Sequence, residues 1–163
     1  MEDQMNESLQ TKIDKIVVFS LDELFYALPL QAVVRVIHAI EIRHLPEAPE
    51  IISGIINVKG QIIPVVDIRK RLELATREID PDDRLIIADT GKREVAILVD
   101  TVTGIRDLTP AQKAEAKETL PFAKHLKGVA KIDNELVLIY DPDRFLRLDE
   151  ETELEKALKS KKK

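Results

Sequence analysis

Short apolar runs separated by turn-forming residues recur along the chain from Lys15 onwards, and each run has the length of one β-strand. The first two runs flank Asp22-Glu23, which predicts a hairpin. Runs on either side of Lys59-Gly60 and of Asp133-Asn134 predict two further hairpins. Strands are expected at 16–21, 24–28, 33–37, 55–58, 61–66, 84–88, 94–99, 101–108 and in a hairpin over 128–140. The pattern therefore predicts a mainly β domain.

Helical signals are few, and most of them lie beside a residue that can cap a helix. Asp67 precedes the short run 68–72 and can accept a hydrogen bond from a free helical N–H. Residues 109–112 have the composition of a helix start, with threonine first and proline second. Residues 149–163 begin with acidic and end with basic side chains, which suits the helix dipole and predicts a solvated C-terminal helix.

Two segments of the chain follow the same plan. Residues 54–72 and 128–146 both contain a glycine, a strand, a two-residue turn, a second strand, an aspartate and a short helix that ends in leucine. They are identical at 3 of 19 positions. This echo is either a common supersecondary unit used twice or the sign of two related lobes, each a small barrel. Barrel closure would also remove the exposed edges of such isoleucine-rich strands.

The composition excludes several classes of protein. There are 19 Ile and 13 Val residues but no Cys, and aromatic residues make up 4% of the chain. The absence of cysteine excludes disulfides and thiolate metal sites. No apolar stretch is long enough to span a membrane, and the polar N-terminus lacks the apolar core of a secretory signal, so the cytoplasm is the expected location. A net charge of −5 argues against a nucleic-acid-binding protein.

No catalytic residue, metal site or cofactor is predicted. The chain lacks a P-loop, a dinucleotide-binding glycine motif and a nucleophile elbow, and His38, His44 and His125 are not at metal-binding spacing. We therefore expect a protein that binds other molecules without transforming them. The apolar side chains of Val33, Val36 and Ile105 are candidates for core or contact positions, and core is favoured because apolar residues are more often buried.

A long motif gives a more specific indication. Residues 54–69 read G-I-I-N-V-K-G-Q-I-I-P-V-V-D-I-R, which resembles the CheW family of chemotaxis coupling proteins. The opening hairpin from Val17 to Pro29, the strand from Val95 to Val102 and the closing hairpin from Gly128 to Asp141 resemble the same family. The resemblance covers residues 15–148, which is the whole globular part of the predicted domain.

The resemblance implies a fold of two five-stranded Src-homology-3-like barrels packed around a shared hydrophobic core, with short helices. It implies a non-catalytic adaptor that couples the cytoplasmic tip of chemoreceptors to the regulatory domain of the histidine kinase CheA. Such an adaptor is cytoplasmic, is recruited to membrane-associated receptor arrays, inserts into no membrane, binds no nucleic acid and is monomeric when isolated. A polar tail over 1–14 and a charged tail or helix over 149–163 would flank the domain.

The resemblance also implies site residues by position. The family's kinase contact corresponds to Val95, Ile97, Val99 and Val102. The receptor contact corresponds to Val33, Val36, Asn57, Lys59, Gly60, Leu85, Ile86 and Ile105. Two positions depart from the family pattern. The family usually has arginine at the position of Lys59, and glutamate at the position of Arg35.

Three hypotheses about function remain open at the level of the sequence. The first is the receptor–kinase adaptor, and the second is a related protein that scaffolds a chemosensory pathway other than the flagellar one. The charge reversal at Arg35 is compatible with the second. The third is a small barrel that binds a ligand or single-stranded nucleic acid, which the negative net charge and the six aromatic residues disfavour.

Overall fold

The computed structural model describes residues 14–109, 112–114 and 126–161, and the predicted N-terminal tail up to residue 13 lies outside them. Short helical turns of the 3-10 type lie at Leu30–Ala32 and Pro142–Arg144. The strands are β1 (Asp14–Leu21), β2 (Leu24–Pro29), β3 (Val33–His38), β4 (Ile52–Val58), β5 (Gln61–Val66), β6 (Arg84–Asp89), β7 (Glu94–Val99), β8 (Thr101–Leu108), β9 (Lys113–Ala114), β10 (Leu126–Ile132) and β11 (Glu135–Tyr140). The α-helices are α1 (Ile68–Arg71) and α2 (Leu148–Lys161).

The strands form two sheets, and each sheet bends into a small barrel. Barrel A has the strand order β8-β1-β2-β11-β10, which the two-residue strand β9 extends, and barrel B has the order β3-β6-β7-β5-β4. In barrel B the chain that follows β3 pairs with β4, because Arg43 and Ile55 exchange two backbone hydrogen bonds of 2.8 Å. In barrel A the chain that follows β8 pairs with β10 through β9. This closure confirms the predicted fold of two Src-homology-3-like barrels.

The two barrels exchange strands. Hairpin β1–β2 lies in barrel A but the next strand, β3, lies in barrel B; hairpin β6–β7 lies in barrel B but the next strand, β8, lies in barrel A. Hairpins β4–β5 and β10–β11 have matching irregularities, between Ile52 and Gly54 in one and between Leu126 and Gly128 in the other. The shared topology and register favour the interpretation of the sequence echo as two related lobes.

Each barrel has an aliphatic interior, and a larger cluster joins the two. The joint cluster draws on strands of both sheets and on α2, and it includes Phe19 from β1, Val66 from β5 and Leu154 from α2. A row of four aromatic rings crosses it, with neighbouring centroids 5.9, 5.9 and 6.4 Å apart. The rings belong to Phe19, Tyr26, Tyr140 and Phe145. The aromatic residues of this row therefore serve the core that both barrels share.

Replacing Tyr140 with phenylalanine is expected to leave stability unchanged or to raise it by about 1 kcal/mol. The Tyr140 hydroxyl is buried and finds no hydrogen-bond partner among the described residues. Burial raises the pKa of this hydroxyl, and the nearby Tyr26 hydroxyl raises it further. Removing an unsatisfied hydroxyl removes a desolvation cost and keeps the ring packing. Urea unfolding of the two proteins measures the difference, and a loss above about 1 kcal/mol would show that the hydroxyl has a partner.

The predicted helix at the C-terminus is present, but it is solvated on one face only. Glu150 and Glu151 of α2 are buried, as are the Leu154 and Ala157 side chains, which join the shared core. The two buried carboxylates pair with arginines, Glu150 with Arg71 at 2.5 Å and Glu151 with Arg93 at 2.6 Å. The sequence did not predict this buried face, because it does not show that these acidic residues have arginine partners on the barrels.

The helix predicted to start at residue 109 does not continue. The Gln112 side chain accepts a hydrogen bond of 2.9 Å from the Thr109 N–H, as a capping side chain would. Lys113 and Ala114, however, pair with β10 as β9. The need to close barrel A overrides the local helical signal, because an open sheet edge would leave backbone groups unpaired.

Candidate partner-binding surface

Strands β3 and β8 lie at corresponding edges of the two barrels and carry corresponding apolar residues. Each contains one extra residue relative to its partner strand, at Val34 in β3 and at Thr103 in β8. Counted from this point, Val33 corresponds to Val102, and Val36 corresponds to Ile105. The positions correspond because each strand follows a hairpin of one barrel and forms the edge of the other barrel's sheet.

The corresponding pairs differ in exposure. Val33 and Val102 are half-buried and pack against the shared core. Val36 and Ile105 are exposed, with 39% and 58% of their surface accessible. Val34 adds a further exposed apolar side chain, at 44%. Strands β3 and β8 therefore each expose aliphatic side chains, one strand on each barrel, and we call the exposed residues of the two strands the β3/β8 surface.

The tip of hairpin β4–β5 carries the other exposed site residues predicted from the sequence. Lys59 and Gly60 form its turn with φ values of 52° and 90°. The Asn57 side chain accepts a hydrogen bond of 2.8 Å from the Gly60 N–H, so this asparagine holds the turn. Asn57, Lys59 and Gly60 are all exposed. A turn with positive φ at both positions favours glycine or asparagine. This accounts for the glycine at position 60 but not for the lysine at position 59.

Strand β4 of this hairpin runs beside the chain that follows β3, where Arg43 pairs with Ile55. Ile37 of β3 and Val58 of β4 pack against the same internal cluster of barrel B. In barrel A, the corresponding hairpin tip contacts β8 directly, because Asp133 forms an ion pair with Arg106 at 2.8 Å.

Five of the residues predicted as contacts belong to the core instead. Leu85 and Ile86 of β6 have no accessible surface, and each packs in a hydrophobic cluster. Val95, Ile97 and Val99 of β7 are equally inaccessible. Strands β6 and β7 lie inside the sheet of barrel B and are covered on both faces, so their side chains stabilise the domain and cannot touch a partner in this conformation. The prediction that these five residues contact a partner is therefore corrected: they are core residues.

A cluster of charged side chains joins the two barrels. Arg69 of α1, which is 10% exposed, donates hydrogen bonds of 3.0 Å to Asp22 and 2.9 Å to Asp100. Asp22 lies in the β1–β2 turn of barrel A, and Asp100 lies where the chain passes from β7 of barrel B to β8 of barrel A. Arg77 also binds Asp100, and it binds Asp83 at 2.6 Å. We call these five residues the inter-barrel cluster.

The pKa of Asp100 shows how strongly the inter-barrel cluster holds this carboxylate charged. Burial acts to raise the pKa, but hydrogen bonds from Arg77, from the Asp22 N–H and from Arg69 outweigh it and lower the pKa below its ordinary value. Sequence reasoning missed this cluster. The sequence does show Asp100 directly after the apolar strand β7 and Arg69 two residues after Asp67. It does not show that they are close together, because that depends on the exchange of strands between the barrels.

The exposed residues of β3 and β8 are three aliphatic ones and six polar or charged ones. No group of three metal-binding side chains occurs in the part of the chain that the structure describes. That part also contains no helix of the length and apolarity needed to cross a bilayer. Two fused barrels, each with exposed aliphatic side chains on an edge strand, have features typical of a protein-binding domain.

Comparison with known proteins identifies the family. The family model described as the CheW-like domain matches residues 15–150, and the chain belongs to this family. A chemotaxis protein CheW of Thermotoga maritima is 31% identical over 132 residues, which are 81% of this chain and 87% of that protein. Protein FrzA of Myxococcus xanthus is 29% identical over 120 residues, covering 69% of this chain and 71% of FrzA.

A solved structure shows the same fold. The crystal structure of the scaffolding protein TtCheW from Thermoanaerobacter tengcongensis superimposes with a TM-score of 0.75 at 32% sequence identity. The match covers 84% of this chain and 90% of that one. The two-barrel architecture derived above from strand pairing is therefore the architecture of a known scaffolding protein.

Proposed function

We propose that this protein is a non-catalytic adaptor that couples chemoreceptors to the histidine kinase CheA in a cytoplasmic chemosensory array. The observation that carries the proposal is the β3/β8 surface in a chain of the CheW-like family, where Val36 and Ile105 are exposed at corresponding positions of two barrels. Apolar residues on rigid strands suit a stable protein contact, because little side-chain entropy is lost when they are covered. The receptor tip is the proposed occupant of this surface.

The kinase contact needs a different surface. Val102 is half-buried, and the other three residues predicted for this contact are core residues. Exposed apolar side chains remain on the related hairpins, with Ile62 of β5 at 44% and Leu136 of β11 at 59%. These two residues occupy corresponding positions, one on each barrel. We assign the kinase contact to the hairpin surface around Leu136 of barrel A, which leaves the β3/β8 surface and the β4–β5 tip to the receptor.

Pairwise binding tests this function. The purified protein is mixed in moderate salt with the CheA regulatory domain or with a receptor signalling fragment, and binding is followed by co-sedimentation and calorimetry. The proposal expects a complex with each partner. An absence of binding to both would overturn it. Binding to single-stranded DNA in a gel shift would favour the third hypothesis instead, although the negative net charge opposes it.

Replacing Lys59 with glutamate is expected to leave the fold intact and to weaken receptor binding about tenfold. The equivalent turn residue in the other hairpin is Asp133, which also has a positive φ, so an acidic side chain is compatible with such a turn. Circular dichroism and thermal unfolding check the fold, and calorimetry with the receptor fragment measures affinity. Unchanged affinity would show that the charge at the hairpin tip is incidental to binding.

The pathway served by the adaptor stays a separate question. A related protein that scaffolds a non-flagellar chemosensory pathway would have the same fold and the same partner classes. Deletion of the gene followed by a swimming assay distinguishes the two, because only the flagellar pathway predicts a loss of directed swimming.

A further inference from the structure

Helix α2 links the two barrels through charged side chains. It follows β11 of barrel A along the chain, after the short 3-10 turn, but three of its carboxylates pair with arginines of barrel B. Glu150 pairs with Arg71 at the end of α1, and Glu151 pairs with Arg93 in the β6–β7 turn. Glu155, one turn further along α2, also pairs with Arg93. A helix supplied by barrel A is therefore held by two arginines of barrel B.

Neither barrel needs α2 to complete its sheet. Both strand orders are complete without it, and no backbone hydrogen bond among the described residues joins α2 to a strand. The attachment of α2 therefore rests on side chains. Its buried apolar side chains are Leu154 and Ala157, while Leu158 is half-buried and Leu148 is exposed. Helix α2 can therefore leave the shared core without breaking a backbone pair of either barrel.

The ion pairs determine how α2 is seated more than how firmly it is held. The side chains of Arg71, Glu150 and Glu151 are nearly buried, and that of Arg93 is 17% exposed. Burying such a pair removes water from both charges, and this cost offsets much of their mutual attraction. Both charges regain water when α2 leaves, so opening costs little electrostatic free energy. Removing only one partner favours opening, because the remaining charge is buried without compensation while α2 is seated.

We propose that α2 is a releasable strap, which opens as a unit at residues 145–147 while both barrels stay folded. These residues lie between the 3-10 turn and α2. Opening exposes the part of the shared core that Leu154 and Ala157 cover, and it removes the charged link that α2 makes between the barrels. A partner that binds the open and closed states with different affinities shifts the equilibrium between them, which makes the strap a regulatory element. The inference does not depend on the proposed function.

Hydrogen exchange followed by mass spectrometry on the full chain tests the strap. In the unsubstituted protein, the hydrogen-bonded amides of α2 should exchange at least about tenfold faster than those of the interior strands β2 and β6, because opening does not require global unfolding. Arg93→Ala should accelerate exchange in α2 by a further factor of about ten, since Glu151 then lacks its arginine in the closed state. Exchange in β2 and β6 should change less than about twofold.

The matched control is Lys92→Ala. Lys92 precedes Arg93 in the same turn, is exposed and forms no ion pair with another described residue. This variant removes the same charge from the turn and should exchange as the unsubstituted protein does. A second variant, Glu155→Gln, guards against misfolding of Arg93→Ala, because the Glu155 side chain is 51% exposed. It should accelerate exchange in α2 alone, by about threefold.

Two results would overturn the inference. In the first, α2 of the unsubstituted protein exchanges as slowly as β2 and β6, which would show that it opens only when the whole domain unfolds. In the second, the substitutions at Arg93 and Glu155 leave exchange in α2 unchanged or accelerate it equally in α2 and in the strands. If Arg93→Ala does not fold, the comparison of Glu155→Gln with the unsubstituted protein decides between these results and the strap.

Discussion

Replacing Asp100 with alanine is expected to lower the free energy of unfolding by about 3 kcal/mol, because the change leaves Arg69 nearly buried with a reduced set of carboxylates. Asp100 accepts hydrogen bonds from Arg69, from Arg77 and from the Asp22 N–H. Removing one member of a buried ion cluster costs more than the cluster adds to stability, since the remaining charge keeps its desolvation penalty. Urea unfolding measures the loss.

A matched control separates this effect from the loss of any surface aspartate. Asp107 pairs with Lys15 at 2.7 Å, but both side chains are more than half exposed. Asp107→Ala is therefore expected to cost less than about 1 kcal/mol. Equal losses for the two substitutions would show that the inter-barrel cluster contributes no more than an exposed pair.

The contribution of Asp100 should also depend on pH in one direction. Its pKa is lower in the folded protein than in the unfolded chain, so its stabilisation is complete above the unfolded value of about 4. As the pH falls through the lower folded pKa, the carboxylate is protonated in both states and the stabilisation is lost. The difference in unfolding free energy between the unsubstituted protein and Asp100→Asn should therefore shrink below about pH 4. A difference that stays constant over this range would contradict the assignment.

Replacing Val36 or Ile105 with aspartate is expected to weaken receptor binding about 30-fold or more while leaving the fold intact. Both side chains are exposed in the isolated protein, so an aspartate remains hydrated there and costs little stability. In the complex the same carboxylate would be buried against apolar groups without a partner. Calorimetry with the receptor fragment measures the affinity, and urea unfolding checks the fold.

The control for these variants is Leu148→Asp. Leu148 is 73% exposed, lies outside the β3/β8 surface and begins α2, where an acidic residue suits the helix dipole. It should bind the receptor fragment normally. If Val36→Asp and Ile105→Asp also bind normally, the receptor does not use the β3/β8 surface. If only one of them is impaired, the contact is confined to one barrel.

The strands were predictable because the chain marks them locally. Apolar runs of β-branched residues end at turn-forming residues, and Asp67 caps α1 through the Lys70 N–H as its position before an apolar run indicated. The 13-residue spacing from Gly54 to Asp67, repeated from Gly128 to Asp141, also indicated two related units. Family membership followed from one continuous motif. These features are all contained in short segments.

The burial of individual site residues was not predictable in the same way. Leu85 and Val95 have the same apolar character as Val36, but they lie on strands inside a sheet while Val36 lies on an edge strand. Strand order depends on the exchange of β3 and β8 between barrels, which involves residues far apart in the chain. The same exchange creates the inter-barrel cluster by bringing Asp22 and Asp100 to Arg69.

The central claim is that one chain links receptor and kinase, and a three-component sedimentation experiment tests it most directly. The receptor signalling fragment is assembled into sedimenting complexes, and the CheA regulatory domain is added with and without this protein. The account predicts that the kinase domain sediments when this protein is present, and that Val36→Asp abolishes the effect while Leu148→Asp preserves it. Sedimentation of the kinase domain that does not change on adding the protein would contradict the account.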